Sequence, residues 1–289
     1  MLTCYLQGGL GNQLFQIFAT ISYGLTHKKA FVFTRQINLD TKRSTYWHSF
    51  LRPLATFTRD LNYAALSPFK LSEKAFTYAE LPASGAEHIC LSGYFQSAKY
   101  FAPHAEAILR LIRLEEQKAS VQMKLKHISN NIVLAGSVSL HFRRGDYKQL
   151  QACHPLLTYE YYHTAILHIL GHCDAAAAAI KTMYVFCEEG DLPEVMPIVA
   201  KLQGSFPNQT FQLMQAHLSD WEQLLVMSLC THNVIANSSY SWWGAYFNSN
   251  PQKIVCYPAN WFGPKLQQND IKDLCSTFWK KVGPKFNLE

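Results

Sequence analysis

From residue 137 onward, short apolar runs alternate with helical periods, and no other feature of the chain restricts its fold as tightly. Residues 137–142, 182–187, 211–214, 234–237 and 253–257 are brief runs rich in β-branched and aromatic side chains, which predicts strands. Residues 158–170, 192–202, 220–229 and 242–248 carry helical spacing, and the alanine run 175–179 reads as a surface connection. Repeated βα units predict a parallel sheet covered by helices on both faces. Ligands then belong at the carboxyl ends of its strands.

The first half begins in the same way. Residues 2–6 read as a strand, followed by Gly8-Gly9-Leu10-Gly11-Asn12-Gln13 and a helix whose apolar residues are Leu14, Ile17, Phe18, Ile21 and Leu25. Either the glycines let a tight turn pack, or the turn aims backbone N–H groups and a helix start at an anion. Leu14 stands where a dinucleotide fingerprint has its third glycine, and no Walker lysine follows, so both of those readings are weak. Residues 30–33 and 88–95 read as further strands, and residues 96–126 as mostly helical. The stretch 35–66, with Tyr46-Trp47-His48, is either a sugar-lining segment or an irregular loop with core anchors. With 289 residues the chain accommodates two domains of about 140 each, and the expected division is 1–133 and 134–289.

Hydrophobic content of 48% with 13% aromatics excludes a disordered chain. The net charge of +6 favours an anionic small ligand, and the absence of any Lys/Arg block argues against nucleic acid. That charge would permit loose association with an anionic membrane surface, although no basic amphipathic helix stands out. The 8 cysteines show no CxxC pair and no zinc-ligand spacing, and several lie in apolar runs, so buried free thiols and a reducing compartment are expected. No leader or 18-residue apolar run is recognisable, and a cytoplasmic, non-spanning protein is the expectation. Oligomeric state is not legible.

The strand ends carry the chemistry. His141-Phe142-Arg143-Arg144-Gly145-Asp146-Tyr147 places two guanidiniums where a strand turns, and a guanidinium that cannot lose its proton must meet an anion. One arginine is expected to meet a ligand phosphate and the other a carboxylate such as Asp146; a solvated basic turn is the plain alternative. Glu188-Glu189-Gly190-Asp191 offers carboxylates that could read the N1–H and N2–H₂ of guanine, bind a metal, or, for Asp191, cap the next helix. Asn237-Ser238-Ser239-Tyr240-Ser241-Trp242-Trp243-Gly244 puts small hydroxyls at a helix start, where they serve a diphosphate or act as ordinary caps.

These motifs, with Gly93-Tyr94-Phe95-Gln96-Ser97 and the C-terminal Lys253-Ile254-Val255-Cys256-Tyr257-Pro258, together resemble glycosyltransferase family 11, the α-1,2-fucosyltransferases. Six fixed positions in His-x-Arg-Arg-Gly-Asp-Tyr would recur by chance on the order of once in 10⁵ chains of this length. The resemblance implies a GT-B fold of two Rossmann-like domains with the active site in the cleft between them. The first domain would serve the acceptor and the second GDP-β-L-fucose, with no cofactor and no obligatory metal. Fucose would pass with inversion to the 2-hydroxyl of a galactose-terminated glycan.

On that resemblance Arg143 contacts the β-phosphate, with His141 beside it, and Asn12 lies near the departing phosphate in the turn of Gly9 and Gly11. Asn237, Ser238, Ser239 and Tyr240 contact phosphate and fucose, and Glu188 or Glu189 reads guanine where the family more often has aspartate. Candidate bases are Asp146, which an ion pair also explains, and His154, which is alternatively an acceptor contact or filler before a helix. The rivals are a GDP-sugar transferase of the same fold with another acceptor or linkage, and a non-catalytic GDP-sugar or glycan binder.

Overall fold

A computed structural model describes residues 1–35, 44–129, 131–172, 180–214 and 217–283, so the alanine run 175–179 and residues 36–43 of the polar stretch lie outside the described residues. The chain divides into two compact units, Met1–Gln117 with Asn269–Cys275, and Lys118–Gln268 with Ser276–Glu289.

In the first unit the elements are β1 (Leu2–Cys4), α1 (Leu10–Thr26), β2 (Phe33–Thr34), β3 (Thr58–Arg59), α2 (Tyr63–Leu66), β4 (Phe69–Ser72), β5 (Ile89–Ser92) and α3 (Ala105–Leu111). β1, β5 and β4 form a parallel sheet in that order. Leu2, Cys4, Ile89, Leu91 and Leu71 are buried. Helix α1 is buried from Gln13 to Gly24, with Gln13, Gln16, Thr20 and Ser22 enclosed among its apolar residues, and only Asn12 near its start and its last turn reach solvent. The helical region expected at 96–126 is real but broken. Arg113 takes φ 53° between α3 and α4 (Leu114–Ile128), a left-handed position that no helix propagates through.

The second unit continues with β6 (Ser137–His141), α5 (Tyr159–His172), β7 (Thr182–Phe186), α6 (Leu192–Ser205), β8 (Thr210–Leu213), α7 (Asp220–Leu229), β9 (His232–Val234), α8 (Ser239–Tyr246), β10 (Val255–Pro258) and β11 (Lys280–Val282). Its six-stranded sheet has the order β11-β10-β9-β6-β7-β8, with every pairing parallel. From β6 the chain winds outward to β7 and β8, then returns to β9 on the other side. The winding therefore reverses between β6 and β9, and such a switch point leaves a crevice at the carboxyl ends of the two strands.

Two expected boundaries move. The strand expected at 234–237 is His232–Val234, and the helix expected from 242 starts at Ser239. Ser238 takes extended angles (φ −140°, ψ 128°) and its hydroxyl accepts from the Tyr240 N–H, so capping begins the helix three residues before the tryptophans. Trp242 and Trp243 are both core, at 1% and 0% exposure.

Candidate active site

The switch point brings together the two motifs that end β6 and follow β9. Leu140 pairs with Val234, and beyond that register the His141 and Tyr240 rings stand 5.3 Å apart. The Tyr147 hydroxyl donates to the Asn237 carbonyl at 3.0 Å. Asn237 is buried, and its amide donates to the Pro155 carbonyl at 3.0 Å and the Trp261 carbonyl at 3.2 Å, which ties three strand-end loops together. Tyr162 of α5 supports the edge from below by donating to the His141 carbonyl at 3.0 Å.

Both arginines face carboxylates. Arg143 pairs with Asp146 and Glu188 and lies 5.2 Å over the Tyr147 ring, while Arg144 pairs with Glu194 at 3.1 Å. Lys148 reaches Asp191 at 2.9 Å and Glu194 at 2.8 Å. Gly145, at φ 33°, carries the turn in a conformation that L side chains rarely adopt, and a Cβ there would lie 3.1 Å from Glu188 Oε2. Glu189 is exposed beside Glu188.

The capping role expected of Asp191 is corrected. It occupies the N-cap position of α6 but makes no side-chain cap bond. Instead its carboxylate accepts from the Gly145 N–H at 2.8 Å and pairs with Lys148, because the turn after β6 presents a donor and a cation at its position. Burial alone would raise its pKa, but Lys148 and the Gly145 N–H outweigh that and hold it below the usual carboxylate value.

Burial, reinforced by Arg143, lowers the His141 pKa to about 3, so the imidazole is neutral at neutral pH. Its Nδ1 is buried without a hydrogen-bond partner. His154 is also lowered by burial, and its ring stacks on Tyr147 at 4.6 Å with Phe262 at 5.9 Å.

In the first unit the remaining motifs meet at the carboxyl ends of β1 and β5. Gln96 Nε2 donates to Asn12 Oδ1 at 2.9 Å. Gly8 has φ 77°, and a Cβ there would fall 2.4 Å from Asn12 Nδ2, so glycine is required by backbone angle and by space. Gly9 is the N-cap of α1 and offers no side chain to its first N–H groups; Gly11 lies in the first turn.

Glu73, at the end of β4, was not singled out by the sequence. Its Oε2 accepts from the Tyr94 and Phe95 N–H groups at 2.8 and 3.1 Å, and burial raises its pKa although those bonds oppose the rise. A Cβ at Gly93 would lie 2.5 Å from Glu73 Cβ, which explains the glycine of that motif. Only this spacing, invisible in a weakly periodic segment, marks the residue. Of the two readings of the polar stretch, Trp47 takes that of a core anchor: it is 3% exposed, stacks on Phe33 at 5.5 Å, and donates to the Thr34 carbonyl.

A doubly wound parallel sheet with arginines and a helix-capping hydroxyl at its switch point defines an α/β protein of the class whose ligands are expected at the strand ends. The family model for glycosyl transferase family 11 matches residues 1–274, and the chain belongs to that family. It is 32% identical over 60% of its length to the O-antigen biosynthesis glycosyltransferase WbnK of Escherichia coli, and 25% identical over 66% to an Escherichia coli alpha-1,2-colitosyltransferase. Those matches span 55% and 61% of the two relatives. A solved structure of an Arabidopsis thaliana FUT1 variant in complex with GDP is 10% identical, with a TM-score of 0.48 over 90% of this chain and 70% of that one.

Proposed function

We propose that the chain is an inverting, metal-independent transferase that moves L-fucose from GDP-β-L-fucose to the 2-hydroxyl of a terminal galactose. The observation that carries this reading is the pairing of His141-Phe142-Arg143 with Asn237-Ser238-Ser239-Tyr240 at the carboxyl ends of the neighbouring strands β6 and β9. The second unit takes the nucleotide sugar, and the first serves the acceptor, as the two domains of a GT-B enzyme. A cytoplasmic enzyme acting on a glycan fits this reading.

Cleavage of the fucose C1–oxygen bond leaves extra negative charge on GDP and an oxocarbenium-like sugar. Arg143 turns its remaining guanidinium N–H groups to the β-phosphate while Asp146 and Glu188 keep their pairs, and the start of α8 at Ser238 and Ser239 adds donors of its own. Asn12, oriented by Gln96, is the first unit's candidate contribution to catalysis. The acceptor hydroxyl attacks from the opposite face. Asp146 is held by Arg143, and His154 is stacked on Tyr147 with Phe262 tilted against it, so a reaction led by bond breaking, which needs no strong base, suits these residues.

The relative named an alpha-1,2-colitosyltransferase supports the α-1,2 linkage and raises a second reading of the donor, because colitose is fucose without its 3-hydroxyl. GDP release is measured with GDP-fucose, GDP-colitose and GDP-mannose, each with and without lactose and in EDTA, followed by linkage analysis of the product. Lactose-dependent release from GDP-fucose giving an α-1,2 product supports the first reading. Preference for GDP-colitose supports the second, and release from neither overturns both.

A further inference from the structure

The turn after β5 holds an uncommon backbone. Gly93 has φ 158° and Phe95 φ 53°, and a buried aromatic residue in the left-handed region persists only where its surroundings fix it. Here they do. The Glu73 N–H donates to the Ser92 carbonyl at 2.9 Å, which carries the β4–β5 ladder one residue past its end and brings the Glu73 side chain against the turn. Its Oε2 accepts from the Tyr94 N–H at 2.8 Å and the Phe95 N–H at 3.1 Å. The Phe95 ring is buried edge to face on Tyr100 at 5.2 Å. The Phe95 carbonyl accepts from the Ser97 N–H at 2.7 Å, so Gln96 sits at the centre of a three-residue turn with both neighbours pinned.

We infer that Glu73 is a positioning residue: by holding the Tyr94 and Phe95 N–H groups it aims Gln96 at Asn12, and so sets the amide that the first unit brings to the reaction. The inference rests on the transferase reading above. Gln96 Nε2 donates to Asn12 Oδ1 at 2.9 Å, which fixes the Asn12 amide with its oxygen toward Gln96. Its Nδ2 then lies over Gly8, 2.4 Å from where a Cβ would stand. Three segments that follow β1, β4 and β5 are thereby linked through one carboxylate and two amides.

Stability alone does not account for a carboxylate in this place. Oε1 is buried without a hydrogen-bond partner, and burial raises the carboxyl pKa although the two N–H bonds oppose the rise. An ionisable group that is buried and half satisfied destabilises the fold, and the left-handed Phe95 adds to that. Such costs gather where a fold holds a functional group still. Two N–H groups converging on one oxygen call for a strong acceptor, which a carboxylate is.

The test uses the full chain with GDP-fucose and lactose, and reads kcat and both KM values together with the side-chain amide NMR signals of Asn12 and Gln96. Glu73→Leu removes the acceptor, Glu73→Asp shortens its reach, and Glu73→Gln keeps an acceptor oxygen. Glu73→Leu is expected to lower kcat about tenfold or more with both KM values within about twofold, and Glu73→Asp to act in the same direction. Glu73→Gln should stay within about threefold of the parent. In an Asn12→Ala background the Leu and Asp variants should change kcat by less than about twofold, because the relay then has nothing to aim. A folded Glu73→Asp or Glu73→Leu enzyme with the parent's kcat, a loss confined to KM, or a loss that multiplies onto that of Asn12→Ala overturns the inference. Glu73→Asp decides it where Glu73→Leu does not fold. If the parent transfers no sugar, the transferase reading fails and the relay is judged by the spectra. A Gln96 amide signal that moves in both Asn12→Ala and Glu73→Asp then supports it, and one that Glu73→Asp leaves in place overturns it.

Discussion

The Tyr147 hydroxyl donates to the Asn237 carbonyl at 3.0 Å, and this one bond joins the loop after β6 to the loop after β9 across the point where the sheet reverses its winding. The same ring lies under the Arg143 guanidinium and against His154. Tyr147→Phe removes the bond and keeps both ring contacts. It is expected to cost about 1 kcal/mol in urea unfolding and leave GDP affinity within about threefold. Tyr147→Ala, which also frees Arg143, weakens GDP by about tenfold or more.

Glu188 already spends Oε1 on Arg143, whereas exposed Glu189 forms no ion pair among the described residues. Guanine reading is therefore expected of Glu189. Inosine diphosphate lacks the 2-amino group, so the parent should favour GDP over it by about tenfold or more, and Glu189→Gln should erase that preference. Glu188→Gln should keep it. Isothermal titration of both nucleotides against both variants separates the two roles, and loss of discrimination in Glu188→Gln alone would reverse the assignment.

Acid should unfold the second unit through His141 and Asp191. Unfolded histidine binds a proton below about pH 6.5, while folded His141 does not until about 3. The unfolded state thus binds more protons across that window, and stability falls as pH drops from 6.5 towards 3, by at most on the order of 5 kcal/mol. Asp191, held below its usual value, adds loss in the same direction lower in the acid range. Urea midpoints measured from pH 7 to 5 should decline, and His141→Gln should flatten the decline.

Helix α8, which begins at the proposed phosphate contacts, is anchored at its other end by two lysines. Lys253 donates to the Ala245 and Asn248 carbonyls at 2.8 and 2.5 Å, and buried Lys118 to the Phe247 carbonyl at 2.6 Å. Burial first, and Lys118 second, lower the Lys253 pKa to about 8. Cations at a helix C-terminus are favourable, but two so close repel each other. Lys253→Met is expected to cost about 1–3 kcal/mol through its orphaned carbonyls. Each single variant already relieves the repulsion, so the double variant with Lys118→Met should cost more than the sum of the singles, as denaturant titration of all three would show.

The second unit was legible because its strands are continuous apolar runs separated by helical periods, and Asp220–Leu229 fell where the sequence put it. Short edge strands were not. Lys280–Val282 has two exposed lysines in three residues, and Phe69–Ser72 exposes three of four, so neither carries a burial pattern. The site motifs were readable at strand ends, but their partners were not. Pairing of Arg143 with Glu188 spans 45 positions, and Glu73 meets Tyr94 only because Gly93 lets the backbones close. Trp47 left two readings open because an aromatic in a polar stretch looks the same whether its ring meets sugar or Phe33.

Arg143→Ala tests the central claim most directly, with GDP release from GDP-fucose measured in excess lactose and EDTA alongside circular dichroism. Loss of a donor to the departing phosphate should lower kcat by about a hundredfold, with the fold and the KM for lactose little changed. A folded Arg143→Ala enzyme whose kcat stays within about threefold of the parent would contradict the assignment of the phosphate clamp to the β6 strand end.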